Sequence, residues 1–189
     1  MTMSSDTIRV RVAAIVGEAE GVKLVEFATG GELPSFTAGS HVDLHLPNGM
    51  IRSYSLSNSQ DETHRYVIGV KDEEGGRGGS RFIHEQLKVG DEIEISRPRN
   101  HFMLDESAEH SVLVAGGIGV TPLMSMSRRL QSLGKSWEMH YAGRDIAKAG
   151  FVSPLREFGP RVNWHFRKGS EEIPAGQRGL APGLAGLRE

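Results

Sequence analysis

The 189-residue sequence contains no cysteine, and this absence excludes several chemistries within these residues. Without a thiol there is no disulfide, no cysteine nucleophile, no cysteine-type zinc site and no cysteine-ligated iron–sulfur cluster. The sequence also lacks an apolar run long enough to span a bilayer, and no secretory signal is visible at its start. We therefore expect no membrane association and a cytoplasmic location. The net charge of −2 argues against a general nucleic-acid binder.

Eight histidines are the remaining candidates for metal binding. His41 and His45 share one face of a predicted strand, but four residues of strand separate them by about 13 Å, which is too far for one metal ion. His140 and His165 are expected on adjacent strands, where a structural role is the simpler interpretation. The sequence therefore predicts no metal site.

The pattern of apolar residues divides the chain into two parts. Alternating segments bounded by turn residues predict six strands, at 7–16, 22–28, 41–46, 51–57, 65–71 and 92–96, and one short helix at 80–87. Strands at this spacing favour a closed or sandwiched antiparallel sheet. Strands at 111–115, 137–141 and 161–166, alternating with helices at 122–133 and 146–158, predict a parallel α/β sheet. The polar stretch 97–102 separates a first domain, 1–103, from a second, 104–189.

A glycine-rich turn, Gly-Gly-Ile-Gly-Val-Thr-Pro at 116–122, follows the first buried strand of the second part. Such glycines let the backbone approach a phosphate or a ring, and the helix that follows favours an anion at its N-terminus. We expect Thr121 to be the N-cap and Pro122 to be the first helical residue. The position that would hold the third glycine of the dehydrogenase fingerprint is Pro122, so that fingerprint is absent. A plain strand–helix turn is the alternative interpretation.

Two further clusters lie in the first part. Arg-Ser-Tyr-Ser-Leu-Ser-Asn at 52–58 puts Arg52, which can pair with a phosphate, on the same strand face as the aromatic plane of Tyr54. Gly-Gly-Arg-Gly-Gly-Ser at 75–80 exposes backbone N–H groups before a helix whose expected N-cap is Ser80. Taken alone, the first cluster is also typical of a surface strand and the second of a flexible hairpin loop.

In this order the three clusters resemble the ferredoxin–NADP reductase superfamily. The nearest resemblance is to its phthalate dioxygenase reductase type, which includes the vanillate demethylase reductases. Segments 67–71, 97–102 and 140–145 are also similar, and the resemblance covers about residues 7–166. It implies an antiparallel β-barrel that binds a flavin, followed by an α/β parallel-sheet domain that binds a pyridine nucleotide and is incomplete at its C-terminus. It further implies FMN rather than FAD, NADH as the electron donor, and an iron–sulfur protein or an oxygenase component as the acceptor.

The resemblance also implies roles for individual residues. Arg52 would hold the FMN phosphate, Tyr54 would pack on the isoalloxazine ring and Ser55 would lie near its reactive edge. The other residues implied to contact the flavin are Ser57, Val70, Lys71, Gly78, Gly79 and Ser80. Those implied to contact the nucleotide are Gly116, Gly117, Gly119, Thr121, Pro122, Arg144 and Asp145. Asp145 would accept a hydrogen bond from a ribose 2′-OH, which favours NADH, and Ser55 and Thr121 are the candidates closest to the chemistry.

The sequence departs from that family in two ways. Members of this type carry a C-terminal ferredoxin domain with clustered cysteines, which these residues lack. The nucleotide-binding part is also short, with only the start of a third helix expected at 180–187. We therefore interpret the chain as a truncated member in which flavin binding survives better than reduction by NADH. The alternatives are a flavin- or nucleotide-binding module with little or no turnover and, more remotely, a nucleotide-independent β-barrel scaffold.

Overall fold

The computed structural model describes residues 6–169, so the helix expected at 180–187 lies outside the described residues. The first part of the chain forms six strands, which make one antiparallel sheet in the order β4-β3-β6-β1-β2-β5. They are β1 (Thr7–Ala19), β2 (Val22–Ala28), β3 (His41–His45), β4 (Ile51–Ser55), β5 (Tyr66–Lys71) and β6 (Glu92–Ser96). A short helix, α1 (Gly79–Glu85), follows β5.

This sheet curls like a barrel but does not close. Just after the end of β4 the chain meets β5, the other outer strand, through a bridge between Leu56 and Ile68 and a hydrogen bond from the Ser57 N–H to the Val67 carbonyl, 2.8 Å. Inward-facing side chains fill the interior, among them Phe27, Leu44, Tyr66 and Ile95. The antiparallel barrel-like sheet predicted from the sequence is thus confirmed, with an opening beside β4 and β5.

The second part is a three-stranded parallel sheet in the order β7-β8-β9, as the alternating pattern predicts. Its elements are β7 (His110–Gly116), α2 (Val120–Ser132), β8 (Ser136–Asp145), α3 (Val152–Arg156) and β9 (Val162–Lys168). Met124 and Leu130 of α2 pack with Met139 and Tyr141 of β8 in a separate core. No helix among the described residues is long and apolar enough to cross a membrane.

The helical segment predicted within 146–158 is present but is not one continuous helix. The segment instead contains a 3-10 turn (Ile146–Lys148) and the five-residue helix α3, with Phe151 between them in a left-handed conformation at φ 65°. A continuous helix would need an N–H from residue 154 to reach the carbonyl of Gly150, and Pro154 has none. The Gly150 carbonyl accepts a hydrogen bond from the Tyr141 hydroxyl instead, at 3.1 Å.

The predicted helix caps are also wrong. Helix α2 begins at Val120, after a 3-10 turn (Gly117–Gly119), so Pro122 is its third residue. Thr121 lies inside the helix and donates its hydroxyl back to the Ile118 carbonyl, 2.6 Å. The N-cap of α1 is Gly78, whose φ of 80° suits glycine. Ser80 lies inside α1 and accepts a hydrogen bond from the Glu73 N–H at 3.3 Å.

Strand β1 extends to Ala19, three residues beyond the predicted end. An irregularity in its pairing with β2 between Gly17 and Ala19 lets the strand continue past this point. The extension carries Glu18 and Glu20 to the segment that follows β8, where the Glu20 N–H donates to the Ala147 carbonyl at 3.1 Å. The two sheets therefore meet at the end of β1.

Candidate functional site

A cavity of about 430 Å³ lies where the opening of the first sheet faces the glycine-rich turn of the second. This volume is within the usual range for small-molecule and cofactor sites. The predicted site residues that line it are Arg52, Tyr54, Ser55, Lys71, Gly79, Ser80, Gly119, Thr121 and Pro122. Strands β4 and β5, the loop before α1 and the start of α2 thus bring residues from all three sequence clusters to one cavity.

Other cavity residues were not among the predicted contacts. Ser53, Gly69, Glu73, Gly76 and Ile118 line the cavity as well. Alternation along β4 alone would place Ser53 on the face opposite to Arg52, yet both line the cavity. Gly69 could have been predicted from the sequence, because a glycine inside an apolar strand often marks a place where another group approaches the backbone closely.

Arg52 is the most tightly held cation of the cavity. A Cβ atom on Gly79 would lie 2.6 Å from both Cγ and Nε of Arg52, so a larger residue there would displace the arginine side chain. The guanidinium donates hydrogen bonds to the carbonyls of Arg77, at 2.9 Å, and Ile51, at 2.8 Å. Within residues 6–169 it forms no ion pair with a carboxylate. Its position is therefore set while its charge stays available to a ligand.

The charges that line the cavity favour an anion. Arg52, Lys71 and Arg77 contribute three positive groups, against the single carboxylate of Glu73. Helix α1 has only two turns, so these side chains rather than a helix dipole supply most of the positive potential. A ligand with a phosphate group would balance this charge through bidentate and charge-assisted hydrogen bonds.

Tyr54 offers an aromatic surface to the same cavity. Burial raises the pKa of its hydroxyl to about 12, with Arg52 opposing the shift and Glu73 adding to it. The phenol is therefore protonated at neutral pH. Its position on β4, opposite Val42 of β3, holds the ring at the cavity wall, where a planar ligand could pack against it.

The glycine-rich turn presents backbone to open space. A Cβ added at Gly116, Gly117 or Gly119 would meet no atom within 4 Å, so the glycines leave room for a ligand to approach the backbone. Behind the turn, the buried hydroxyl of Tyr141 donates to the Gly117 carbonyl at 3.0 Å. Burial, reinforced by the nearby charge of Glu18, raises the pKa of this hydroxyl. The turn is therefore supported from the protein interior.

The remaining predicted residues lie outside the cavity. Ser57 is buried and donates its hydroxyl to the Val67 carbonyl at 3.0 Å, while the Val70 carbonyl is bound to the ring of His84 at 2.9 Å. Gly78 caps α1. Asp145 accepts a hydrogen bond from the Ala147 N–H at 3.1 Å, and the neighbouring Arg144 is exposed at the end of β8. The ligand contacts expected of these residues stay predictions.

A pair of stacked histidines lies on the parallel sheet. His140 and His165 lie on adjacent strands as predicted, with Nδ1 and Nε2 3.0 Å apart and their rings stacked. Burial and the neighbouring His140 lower the pKa of His165. Among the described residues no group of three or more His, Asp or Glu side chains is arranged to hold a metal ion.

The sequence of the first sheet matches a known family of oxidoreductase domains. Residues 9–104, just over half of the chain, match the family model described as the oxidoreductase FAD-binding domain, and the chain belongs to this family. The match spans the six-stranded sheet except for the first two residues of β1, and it includes the cavity residues of β4, β5 and α1.

Two curated relatives are similar in sequence to this chain over most of its length. The chain is 47% identical over 161 residues to phenoxybenzoate dioxygenase subunit beta of Ectopseudomonas oleovorans, covering 84% of this chain and 50% of the relative. It is 43% identical over 169 residues to vanillate O-demethylase oxidoreductase of Pseudomonas sp. (strain HR199 / DSM 7063), covering 87% of this chain and 53% of the relative. The chain thus spans about half the length of these relatives.

A solved structure agrees with the sequence matches. Phthalate dioxygenase reductase, described as a modular structure for electron transfer from pyridine nucleotides to a 2Fe–2S centre, superposes with a TM-score of 0.83 at 38% identity. The comparison covers 89% of this chain and 54% of that one. The resemblance to this type of reductase, and the fold that it implied, are therefore confirmed. Together with the family model, this similarity supports a flavin and a pyridine nucleotide as the ligands.

Proposed function

We propose that this chain binds FMN in the cavity and NADH at the adjoining glycine-rich turn, as part of an oxidoreductase that passes electrons to an iron–sulfur partner. That partner would be an iron–sulfur protein or the oxygenase component of an aromatic-degrading system. In this proposal residues 1–103 form the flavin-binding domain and residues 104–189 the nucleotide-binding domain. The observation that carries the proposal is a single cavity built by both parts of the chain, with three cations against one carboxylate.

The cavity residues suit a flavin that ends in one phosphate group. Arg52, held between Gly79 and the Arg77 carbonyl, would bind the phosphate together with the Ser80 hydroxyl. Tyr54 would pack on the ring system. The bound flavin would exchange electrons in pairs with a pyridine nucleotide and singly with an iron–sulfur centre, and the protein supplies orientation and electrostatics.

The turn at 116–122 would seat the nucleotide beside the cavity. The open backbone at Gly117 and Gly119 leaves space for a pyrophosphate or a ring, while Thr121 lines the cavity and is fixed by its bond to the Ile118 carbonyl. Thr121 and Ser55 line the cavity from its two sides, which makes them the residues closest to where the two ring systems would meet. This arrangement requires no acid–base pair from the protein.

The test is to load the purified chain with FMN or FAD and to measure the affinity of each flavin. The loaded chain is then mixed anaerobically with NADH or NADPH while the visible absorbance of the flavin is followed. We expect one FMN per chain, tighter binding of FMN than of FAD, and saturable reduction by NADH in preference to NADPH. Failure to bind either flavin would refute the proposal, and tighter binding of FAD would refute its choice of FMN.

Binding without turnover is the second candidate function. The observation in its favour is that Val112 and Val114 of β7 are 54% and 52% exposed on one face of the parallel sheet. Parallel sheets are usually covered on both faces, whereas one face of this sheet is uncovered at β7 among the described residues. A chain that binds FMN but is silent towards both nucleotides would establish this alternative.

A further inference from the structure

The end of β1 contacts the segment after β8 at three points. The backbone of Glu20 donates to the Ala147 carbonyl, and its carboxylate forms an exposed ion pair with Lys148, 3.0 Å. The third contact is more buried: the Phe151 N–H donates to a carboxylate oxygen of Glu18 at 2.8 Å. These contacts join the first sheet directly to the nucleotide-binding part.

Phe151 has an unusual conformation at this junction. Its φ of 65° makes it the one non-glycine residue with positive φ among residues 6–169. Bulky residues rarely adopt this conformation, and one that does is normally held there by its surroundings. Phe151 is 3% exposed, and the carboxylate of Glu18 accepts its N–H.

The conformation brings the ring of Phe151 against the cavity wall. A Cβ atom on Gly69 of β5 would lie 2.9 Å from Cε2 of Phe151 and 3.4 Å from Oγ1 of Thr121. Gly69 and Thr121 both line the cavity. The ring of Phe151 and the start of α2 therefore pack side by side on Gly69 of β5.

The same segment is tied to the glycine-rich turn. The single O–H of Tyr141 lies within hydrogen-bond distance of two carbonyls, Gly117 at 3.0 Å and Gly150 at 3.1 Å, and shares its proton between them. Gly150 directly precedes Phe151, so a movement of Phe151 would be transmitted through Tyr141 to the turn. A connected set of contacts therefore runs from β1 to both sides of the cavity.

We propose that Glu18 is a positioning residue: by accepting the Phe151 N–H it keeps the Phe151 ring on Gly69 and so fixes the glycine-rich turn relative to the flavin cavity. This inference rests on the proposed function for its consequence, because the turn is there assigned to the nucleotide. The geometric part concerns the protein alone and is testable without any ligand.

Four variants separate this role from a general structural one. Glu18→Ala removes the acceptor, and Phe151→Leu removes the ring while leaving an apolar side chain. Glu18→Gln retains a side-chain oxygen that accepts the same N–H. Glu20→Ala is the matched control, because Glu20 lies only two residues after Glu18 and the substitution breaks its exposed ion pair with Lys148.

The geometric readout is the distance between two spin labels, measured without ligand. The sequence has no cysteine, so Lys88→Cys and Gln131→Cys, at exposed positions in the two parts, give a unique label pair. We expect a narrow distance distribution in the parent, Glu18→Gln and Glu20→Ala proteins, and a broadened or displaced one in Glu18→Ala and Phe151→Leu. If Glu18→Ala and Phe151→Leu both keep the distance distribution of the parent protein, the proposal is overturned, whether or not the chain binds a flavin.

The functional readout compares two ligands on the same variants. Glu18→Ala and Phe151→Leu should weaken NAD⁺ binding, measured by calorimetry, by about tenfold or more and slow flavin reduction by up to about a hundredfold, as expected for a misplaced reactant. Affinity for FMN should change less than twofold, roughly. An equal loss of both affinities, or a loss in Glu20→Ala of the same size, would mean a general structural role and would overturn the proposal.

Discussion

Replacing Arg52 by alanine removes the cation that we assign to the flavin phosphate. The guanidinium is already held by two backbone carbonyls and by its passage over Gly79, so it pays little ordering entropy when a ligand binds. Charge-assisted hydrogen bonds to a phosphate contribute about 1.5–3 kcal/mol, which corresponds to a Kd for FMN that is about tenfold to 150-fold larger. Arg52→Lys should lose less, because it keeps the charge but not the planar fork.

The assay is an equilibrium titration of the apoprotein with FMN, followed by the quenching of flavin fluorescence. Arg81→Ala is the matched control: Arg81 lies on α1 near the cavity, is exposed, and faces Glu85 at 3.7 Å without lining the cavity. Thermal unfolding of each apoprotein checks that the fold is intact. If Arg52→Ala and Arg81→Ala bind FMN as tightly as the parent, Arg52 is a surface strand residue and the assignment of the phosphate site is wrong.

Three other predictions use the same cavity and its supports. Gly69→Ala puts a Cβ 2.9 Å from the buried ring of Phe151, and overpacking by about 1–3 kcal/mol should lower the apoprotein's unfolding temperature by roughly 2–10 °C. Gly30→Ala, whose Cβ meets no atom within 4 Å, is the control, and equal unfolding temperatures would contradict the contact. Gly119→Ala adds a methyl group to open space beside the cavity and should weaken NADH more than FMN, so equal losses in parallel titrations would argue against a nucleotide there. Burial raises the pKa of Glu18 above its ordinary value of 4.5, although the Phe151 N–H opposes the shift. The folded protein therefore binds the proton of Glu18 more tightly than the unfolded protein does. The resulting stabilisation is complete below pH 4.5 and is lost as the pH rises through the raised pKa. The stability of Glu18→Gln should therefore increase relative to the parent with rising pH, measured by urea unfolding, and a constant difference would contradict the shift.

Local patterns were enough to predict the elements that carry the cavity. The alternation in 51–57 and 65–71 identified β4 and β5, and the apolar run at 111–115 with its glycine-rich turn identified β7 and the presence of α2 after it. Residues of the three clusters lie together because these segments end at the junction of the two sheets. The order of the clusters also carried the family resemblance, which the comparisons confirm.

Contacts between distant segments could not be predicted from local patterns. The role of Gly69 depends on Phe151, far along the chain, and the bond between Glu18 and Phe151 joins residues 133 positions apart. The left-handed Phe151 donates its N–H to this distant carboxylate, and no periodicity in 146–158 could indicate such a contact. The cap errors have a local cause instead: a 3-10 turn directly before α2 starts the helix one residue ahead of Thr121.

The central claim is that one cavity, built by both parts of the chain, holds the flavin beside the nucleotide. Amide hydrogen exchange of the purified chain, measured alone, with FMN, and with FMN plus NAD⁺, tests this claim most directly. We predict that FMN protects peptides covering residues 50–56 and 66–80, and that NAD⁺ adds protection at residues 116–122. Ligand-dependent protection confined to other segments, or no protection at saturating FMN, would contradict the account.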